Sequence, residues 1–205
     1  FSLFADADQL TAAVSTRLGG VSAPPFDTLN MSFSTGDEAA SVLENRTRFL
    51  SAVGIDPNEI VACRQVHGTH LELVEKKDRG RGASSQETAV KDCDGLMTDE
   101  AGVPIVLNFA DCTPLLFYDA GHQAIAISHG GWRGTAADIA GKTVSMMKEI
   151  FGSDPKNLLA AVGPAIGPCC FEVGGEVIKQ FSHLFSREEM VLLTRKDKGE
   201  KYHFD

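Results

Sequence analysis

The sequence predicts a single α+β domain in which helices flank a mixed β-sandwich, and three observations carry that prediction. The chain has 205 residues, 43% of them hydrophobic, which suits one globular domain able to bury roughly 70% of its unfolded surface. No internal repeat and no linker-like stretch divides it. Helical and strand-like segments are interspersed without a strict βαβ alternation, so α+β or mixed α/β layering fits better than a doubly wound sheet.

The first predicted helix runs over 41–54 (SVLENRTRFLSAVG). Val42, Leu43, Phe49, Leu50 and Val53 recur at helical spacing, Ser41-x-x-Glu44 reads as a capping box, and Gly54 supplies the stop. Arg46 shares the inward face with Val42, Leu43 and Leu50. An unpaired guanidinium is expensive there, so it must meet an acid, a carbonyl or a bound anion.

A strand is predicted over 65–75, followed by a long exposed loop over 75–91, where EKKDRGRGASSQETAVK has no apolar period. Further β-rich runs follow over 103–110, 114–118, 124–128 and 158–162. A second helix is expected from Thr135 to the stop at Gly152. Ala136, Ile139, Ala140, Thr143, Val144, Met147, Ile150 and Phe151 form its apolar face.

Charge and cysteine usage narrow the function. A net charge of −9 with no basic run argues against a nucleic-acid or membrane-surface protein, while leaving room for a local basic pocket. No stretch is long and apolar enough for a membrane span, and FSLFADADQL does not read as a signal peptide. Five cysteines without a scaffold spacing fit reduced thiols in the cytoplasm.

Three residues are harder to explain as structure. His67 in QVHG shares the parity of Leu71 and Leu73, which points it to an apolar side. His129 ends the strand AIAIS beside Gly130 and Gly131, and Cys112 in FADCTP stands where one apolar run gives way to another. One thiolate and two imidazoles suit a borderline-soft divalent ion and leave a fourth tetrahedral position open. A metal-free Cys112/His129 nucleophile pair uses the same residues. GGWRGT leads into the second helix and can cradle an anion, with Arg133 adding a fork of donors. Arg17 and Arg64 are further candidate donors.

Eight motifs occur in order: TRLGGVS, LNMSFSTGD, ENR, QVHG, DCDGLMTD, ADCTPLLFYD, SHGGWRGT and GPAIGPCCFEVG. Together they closely resemble the laccase-domain proteins, long called multicopper polyphenol oxidase-like and later purine nucleoside phosphorylases. Gly130 stands where the family more commonly has Ala. The family usually extends past a motif like KYHFD, so a chain of 1–205 is expected to form one domain without that tail.

The resemblance implies an α/β/β/α-layered sandwich related in shape to cysteine-hydrolase toxins. It implies a zinc or copper site from His67, Cys112 and His129, with phosphorolysis of adenosine, inosine, guanosine and methylthioadenosine and a side activity of adenosine deamination. Purine nucleosides and phosphate are the expected partners, and Arg46 and Arg133 the expected substrate or phosphate holders. Two alternatives stay open: a Cys/His hydrolase or editing amidase, and a copper polyphenol oxidase, although only one His2Cys set is visible for the latter.

Overall fold

The computed structural model describes residues 2–4, 7, 9–196 and 201–205. Of the opening FSLFADADQL, residues 1, 5, 6 and 8 lie outside them. The strands in chain order are β1 (Val61–Ala62), β2 (Leu71–Leu73), β3 (Gly95–Thr98), β4 (Ile105–Val106), β5 (Thr113–Asp119), β6 (Ala124–Gly130), β7 (Leu159–Val162), β8 (Glu172–Val173), β9 (Thr194–Lys196) and β10 (Tyr202–Phe204). The helices are α1 (Ala39–Ala52), α2 (Trp132–Ala136), α3 (Ile139–Phe151), α4 (Gly175–Phe181) and α5 (Arg187–Leu193). The result is a mixed α+β fold. No helix among the described residues is long and apolar enough to cross a membrane.

A five-stranded sheet, ordered β2-β3-β6-β5-β7, forms the centre. β2 and β3 run parallel, and every other neighbouring pair is antiparallel. The β5–β6 hairpin is closed by Asp119, whose buried carboxylate accepts the N–H groups of Gly121 and His122 and meets the His122 ring at 2.8 Å. A side chain that satisfies turn donors in this way fixes the register of the strands it joins. That register matters for the site, because it sets Thr113 opposite Gly130 and Pro114 opposite His129.

β3 is buried along its whole length. Its neighbours explain why: Met97 packs with Leu71, Phe117, Ala124, Ala126 and Met147 of α3, while Leu96 joins Val61, Cys63, Val74, Val90 and Leu107 on the other face. Period-2 alternation thus delivers apolar residues to two cores, and no amphipathic signal survives in the sequence. Removing the Met147 side chain would cost about 2–5 kcal/mol by the usual scale of buried large-to-small changes. On the face away from α3, Leu116, Ile125, Ile127, Phe109 and Pro164 contribute to a cleft of about 1020 Å³.

Several sequence expectations change. α1 starts at Ala39 rather than Ser41, with Glu38 as its N-cap and no side-chain cap, so the Ser41/Glu44 capping box is not formed. Its end follows expectation: Gly54 at φ 77 and Ile55 return N–H groups to Ser51 and Leu50, a Schellman closure. The inward face carries Asn45 beside Val42, Arg46 and Leu50, whereas Leu43 is exposed.

The second helix begins earlier than Thr135 and is broken in two. Asp138 sits in the left-handed region at φ 59 and caps α3 by accepting the Gly141 N–H at 3.0 Å, so the chain turns between α2 and α3. The strand expected over 65–75 is reduced to Leu71–Leu73. The 75–91 segment is not simply exposed, since Ala83, Ala89 and Val90 are buried and Ala83 packs near Leu50 and Ile60.

Candidate metal centre

The hairpin register puts Cys112, just before β5, across from the end of β6 that bears His129. His67 reaches the same place from the loop between β1 and β2. One ligating atom from each of His67, Cys112 and His129 lies within 4.8 Å of the others. The two imidazoles meet edge to face with centroids 4.7 Å apart, and Phe109 leans on His129 at 5.6 Å. His129 is buried, Cys112 half-buried and His67 exposed. The sequence expectation for His67 is therefore corrected: it is not an inward residue of a strand but a loop residue at φ 60, open to solvent.

Asp94 holds this arrangement together. It is fully buried immediately before β3, and its Oδ1 lies 2.9 Å from His129 Nδ1. Its carboxylate also accepts the backbone N–H groups of His67 at 2.9 Å, Gly68 at 2.6 Å and Val66 at 3.2 Å. Its carbonyl accepts the His129 N–H at 2.7 Å. Burial opposes the Asp94 charge, but the His129 ring and the three N–H donors outweigh it and hold the carboxyl below the usual range. The anion favours the tautomer of His129 with the proton on Nδ1, which leaves the Nε2 lone pair free.

Gly131 completes the cradle. A Cβ at this position would stand 3.0 Å from His67 Cδ2, 3.4 Å from Cys112 Sγ and 3.6 Å from His129 Cε1. Only a hydrogen leaves the space among the three donors free. Two imidazoles, one sulfur, an orienting carboxylate and a cleared centre fit a borderline-soft divalent ion.

The thiol itself argues against unaided nucleophilic use. Burial raises the Cys112 pKa, and the charges of Asp111 and Asp94 push it the same way. Reactive thiols need the opposite environment. Among the described residues this is the one group of three or more such side chains placed to hold an ion.

The arginines divide. Arg46 is buried, with Nε on the Met31 carbonyl at 2.7 Å, a terminal nitrogen on the Gly82 and Ala83 carbonyls at 2.6 and 2.9 Å, and its guanidinium 4.4 Å over Phe33. Burial pushes its pKa down to about 10, so it remains charged at neutral pH. Of the three partners the sequence allows, carbonyls are the ones it meets. Its Nε and Nη1 donors tie α1 to two loops, a structural role that needs no bound anion. Asn45 works beside it, linking Val21, Ser22 and Asn30. Arg17 and Arg64 lie in exposed ion pairs with Asp27 and Asp92. Arg133 is exposed at the start of α2, stacked 4.3 Å over Trp132.

Asp94 and Phe109 are the site residues that sequence reasoning missed. Asp94 lies inside DCDG, where an acid before glycine reads as a turn, and only the pairing of Gly95 with Ser128 reveals it as the neighbour of His129.

Residues 11–205 match the family model described as multi-copper polyphenol oxidoreductase laccase. The chain is 42% identical over 167 residues to purine nucleoside phosphorylase YlmD of Geobacillus stearothermophilus, covering 82% of this chain and 61% of that protein. It is 34% identical to adenosine deaminase RL5 from an unknown prokaryotic organism, over 87% of this chain and 68% of the other. The crystal structure of YlmD from Geobacillus stearothermophilus superposes with a TM-score of 0.87 at 39% identity, covering 93% of this chain and 70% of that one. The chain thus spans about three fifths of the length of the first of these relatives.

Proposed function

Because the chain belongs to the multi-copper polyphenol oxidoreductase laccase family, we propose that it is a metal-dependent purine nucleoside phosphorylase with adenosine deaminase activity. Adenosine, inosine, guanosine and methylthioadenosine are its proposed substrates, with phosphate as co-substrate and base and sugar 1-phosphate as products. The observation that carries this reading is the convergence of His67, Cys112 and His129 on one point, with Asp94 behind His129. The names of the YlmD and RL5 relatives support the substrate class.

His67, Cys112 and His129 would hold a zinc or copper ion. Such an ion supplies a Lewis acid and lowers the pKa of a bound water, the nucleophile that deamination requires. Asp94 keeps His129 in one tautomer and braces the 66–68 turn that presents His67. Phe109 shields one side of the His129 ring from water. Arg133, exposed beside the glycine turn, is the proposed phosphate holder, since a guanidinium fork matches the oxygens of an attacking phosphate.

Two competing readings are weaker. A hydrolase built on Cys112 and His129 would need an activated thiolate, and the carboxylates around Cys112 oppose one. A copper oxidase performing four-electron oxygen chemistry would need further metal centres beyond the one ligand group found among the described residues.

The same family reading extends to architecture and location. We take the apolar cleft opposite α3 as the inner face of an α/β/β/α sandwich of the toxin-like kind. Five free cysteines accord with the cytoplasm.

The test is direct. Pure protein of defined metal content is incubated with each nucleoside, with and without phosphate, and bases, sugar phosphates and deaminated products are separated by chromatography. Adenosine should give adenine only with phosphate and inosine without it. Nucleosides left unchanged in every arm would sink the proposal.

A further inference from the structure

Cys169 and Cys170 take no part in the centre just described. Both are exposed, and their sulfurs lie 3.4 Å apart. We propose that they form a second metal-binding site, a bidentate dithiol for a soft, thiophilic ion, separate from His67, Cys112 and His129.

The turn that carries them is held from both ends. The Gly167 carbonyl accepts the N–H groups of Cys170 at 2.9 Å and Phe171 at 3.0 Å, and the Cys170 carbonyl accepts that of Glu172 at 3.0 Å. Phe171 packs against the cluster of Val173, Val177, Phe181, Met190 and Phe204, and the Phe171 carbonyl accepts the Phe204 N–H at 3.2 Å. Upstream, Ile166 donates its N–H to the Asp111 carbonyl at 2.9 Å. The backbone that displays the thiols is therefore anchored, which lowers the entropy lost when an ion engages both.

The sulfur separation suits chelation. Two thiolates on a tetrahedral ion with bonds near 2.3 Å place their sulfurs about 3.8 Å apart, whereas a disulfide needs about 2.05 Å. The observed distance is close to the former and well beyond the latter. Cys169 opposes ionisation of its neighbour: its hydrogen bond and charge raise the Cys170 pKa. A cation shared by both sulfurs replaces that repulsion with attraction. Thiolate pairs select soft ions, and the remaining coordination positions face solvent.

The other cysteines lack these properties. Cys63 and Cys93 are both buried, and the Cys63 thiol donates to the Cys93 carbonyl at 3.1 Å. Cys112 belongs to the first centre.

Phenylarsine oxide and Cd2+ are the probes, used on the folded chain and on its Cys112→Ala variant. With the arsenical, two As–S bonds form while the oxide oxygen leaves as water with both thiol protons, so no oxidation state changes. One phenylarsenic group per chain should survive gel filtration in the wild type and in Cys112→Ala. In Cys169→Ser or Cys170→Ser the arsenical should bind roughly a hundredfold more weakly, the loss expected when two linked contacts become one. In the Cys112→Ala background, Cd2+ should produce a thiolate charge-transfer absorbance that adding Cys170→Ser abolishes. Equal retention by Cys169→Ser, no adduct on the wild type, or a Cd2+ absorbance indifferent to Cys170→Ser would each overturn the proposal. The Cys112→Ala arms repeat the test without the first centre's thiol, so a failure at His67, Cys112 and His129 gives a different pattern.

Discussion

Asp94 and His129 are joined twice, once through the Asp94 carboxylate and His129 Nδ1 at 2.9 Å and once through the Asp94 carbonyl and the His129 N–H at 2.7 Å. The pairing of β3 with β6 makes the second bond, and the second bond aims the first. The same carboxylate gathers the N–H groups of residues 66–68, so one buried anion orients one proposed ligand and the loop bearing another.

Asp94→Asn should therefore weaken zinc binding by about 10–100-fold, the usual scale for losing a residue that orients a ligand. An amide cannot accept from His129 and all three backbone donors as a carboxylate does. Competitive titration against a chromophoric chelator measures the change. Unaltered affinity would mean that His129 needs no fixed tautomer to bind.

Gly131→Ala tests the cleared centre. The added methyl would press on the His67 and Cys112 side chains at 3.0 and 3.4 Å, so metal content by elemental analysis should fall while thermal unfolding changes little. A variant that binds metal normally would show that His67, in its exposed loop, shifts to make room.

Much of this site was legible in the sequence because ligand chemistry is carried by residue type. Histidine and cysteine at strand ends are conspicuous, and His129 keeps the parity expected of it. What stayed hidden depended on pairing. Asp94 gains its role only when Gly95 aligns with Ser128. β3 has no legible period because burial on both faces erases alternation, and the short β8, β9 and β10 carry too few residues for any period to emerge. Arg46 was correctly placed on an inward face, but sequence cannot say which acceptor awaits a buried guanidinium. Its carbonyl partners lie some 15 to 37 residues away along the chain. The break at Asp138 is invisible in the sequence because a left-handed Asp inside a helical pattern has no periodic signature.

The two arginines should now separate. Arg46→Met strips donors from three carbonyls and should cost about 3 kcal/mol or more of stability, as expected for charged hydrogen bonds lost in a buried setting. Denaturant unfolding reads that loss. Arg133→Met should leave stability within about 0.5 kcal/mol, as for an exposed residue. It should raise the phosphate KM roughly tenfold, the size of one charge-assisted contact. The reverse assignment of the two effects would return Arg46 to the phosphate site.

Acid sensitivity should trace partly to the β5–β6 turn. Burial opposes ionisation of Asp119, but the Ser153 and His122 side chains and the N–H groups of His122 and Gly121 prevail, and its carboxyl titrates below the ordinary range. A folded-state pKa below the unfolded value means that the ionised group contributes stability above the unfolded pKa. That contribution is lost as pH falls through the folded value. Asp119→Asn removes the charge, so the wild type should be the more stable of the two at neutral pH. The difference should shrink once the pH drops below about 4, where the unfolded carboxyl begins to protonate. Urea unfolding of both proteins from neutral pH down into the acid range measures the gap. A gap that stayed constant with pH would assign the turn's contribution to its hydrogen-bond geometry alone and remove Asp119 from the acid response.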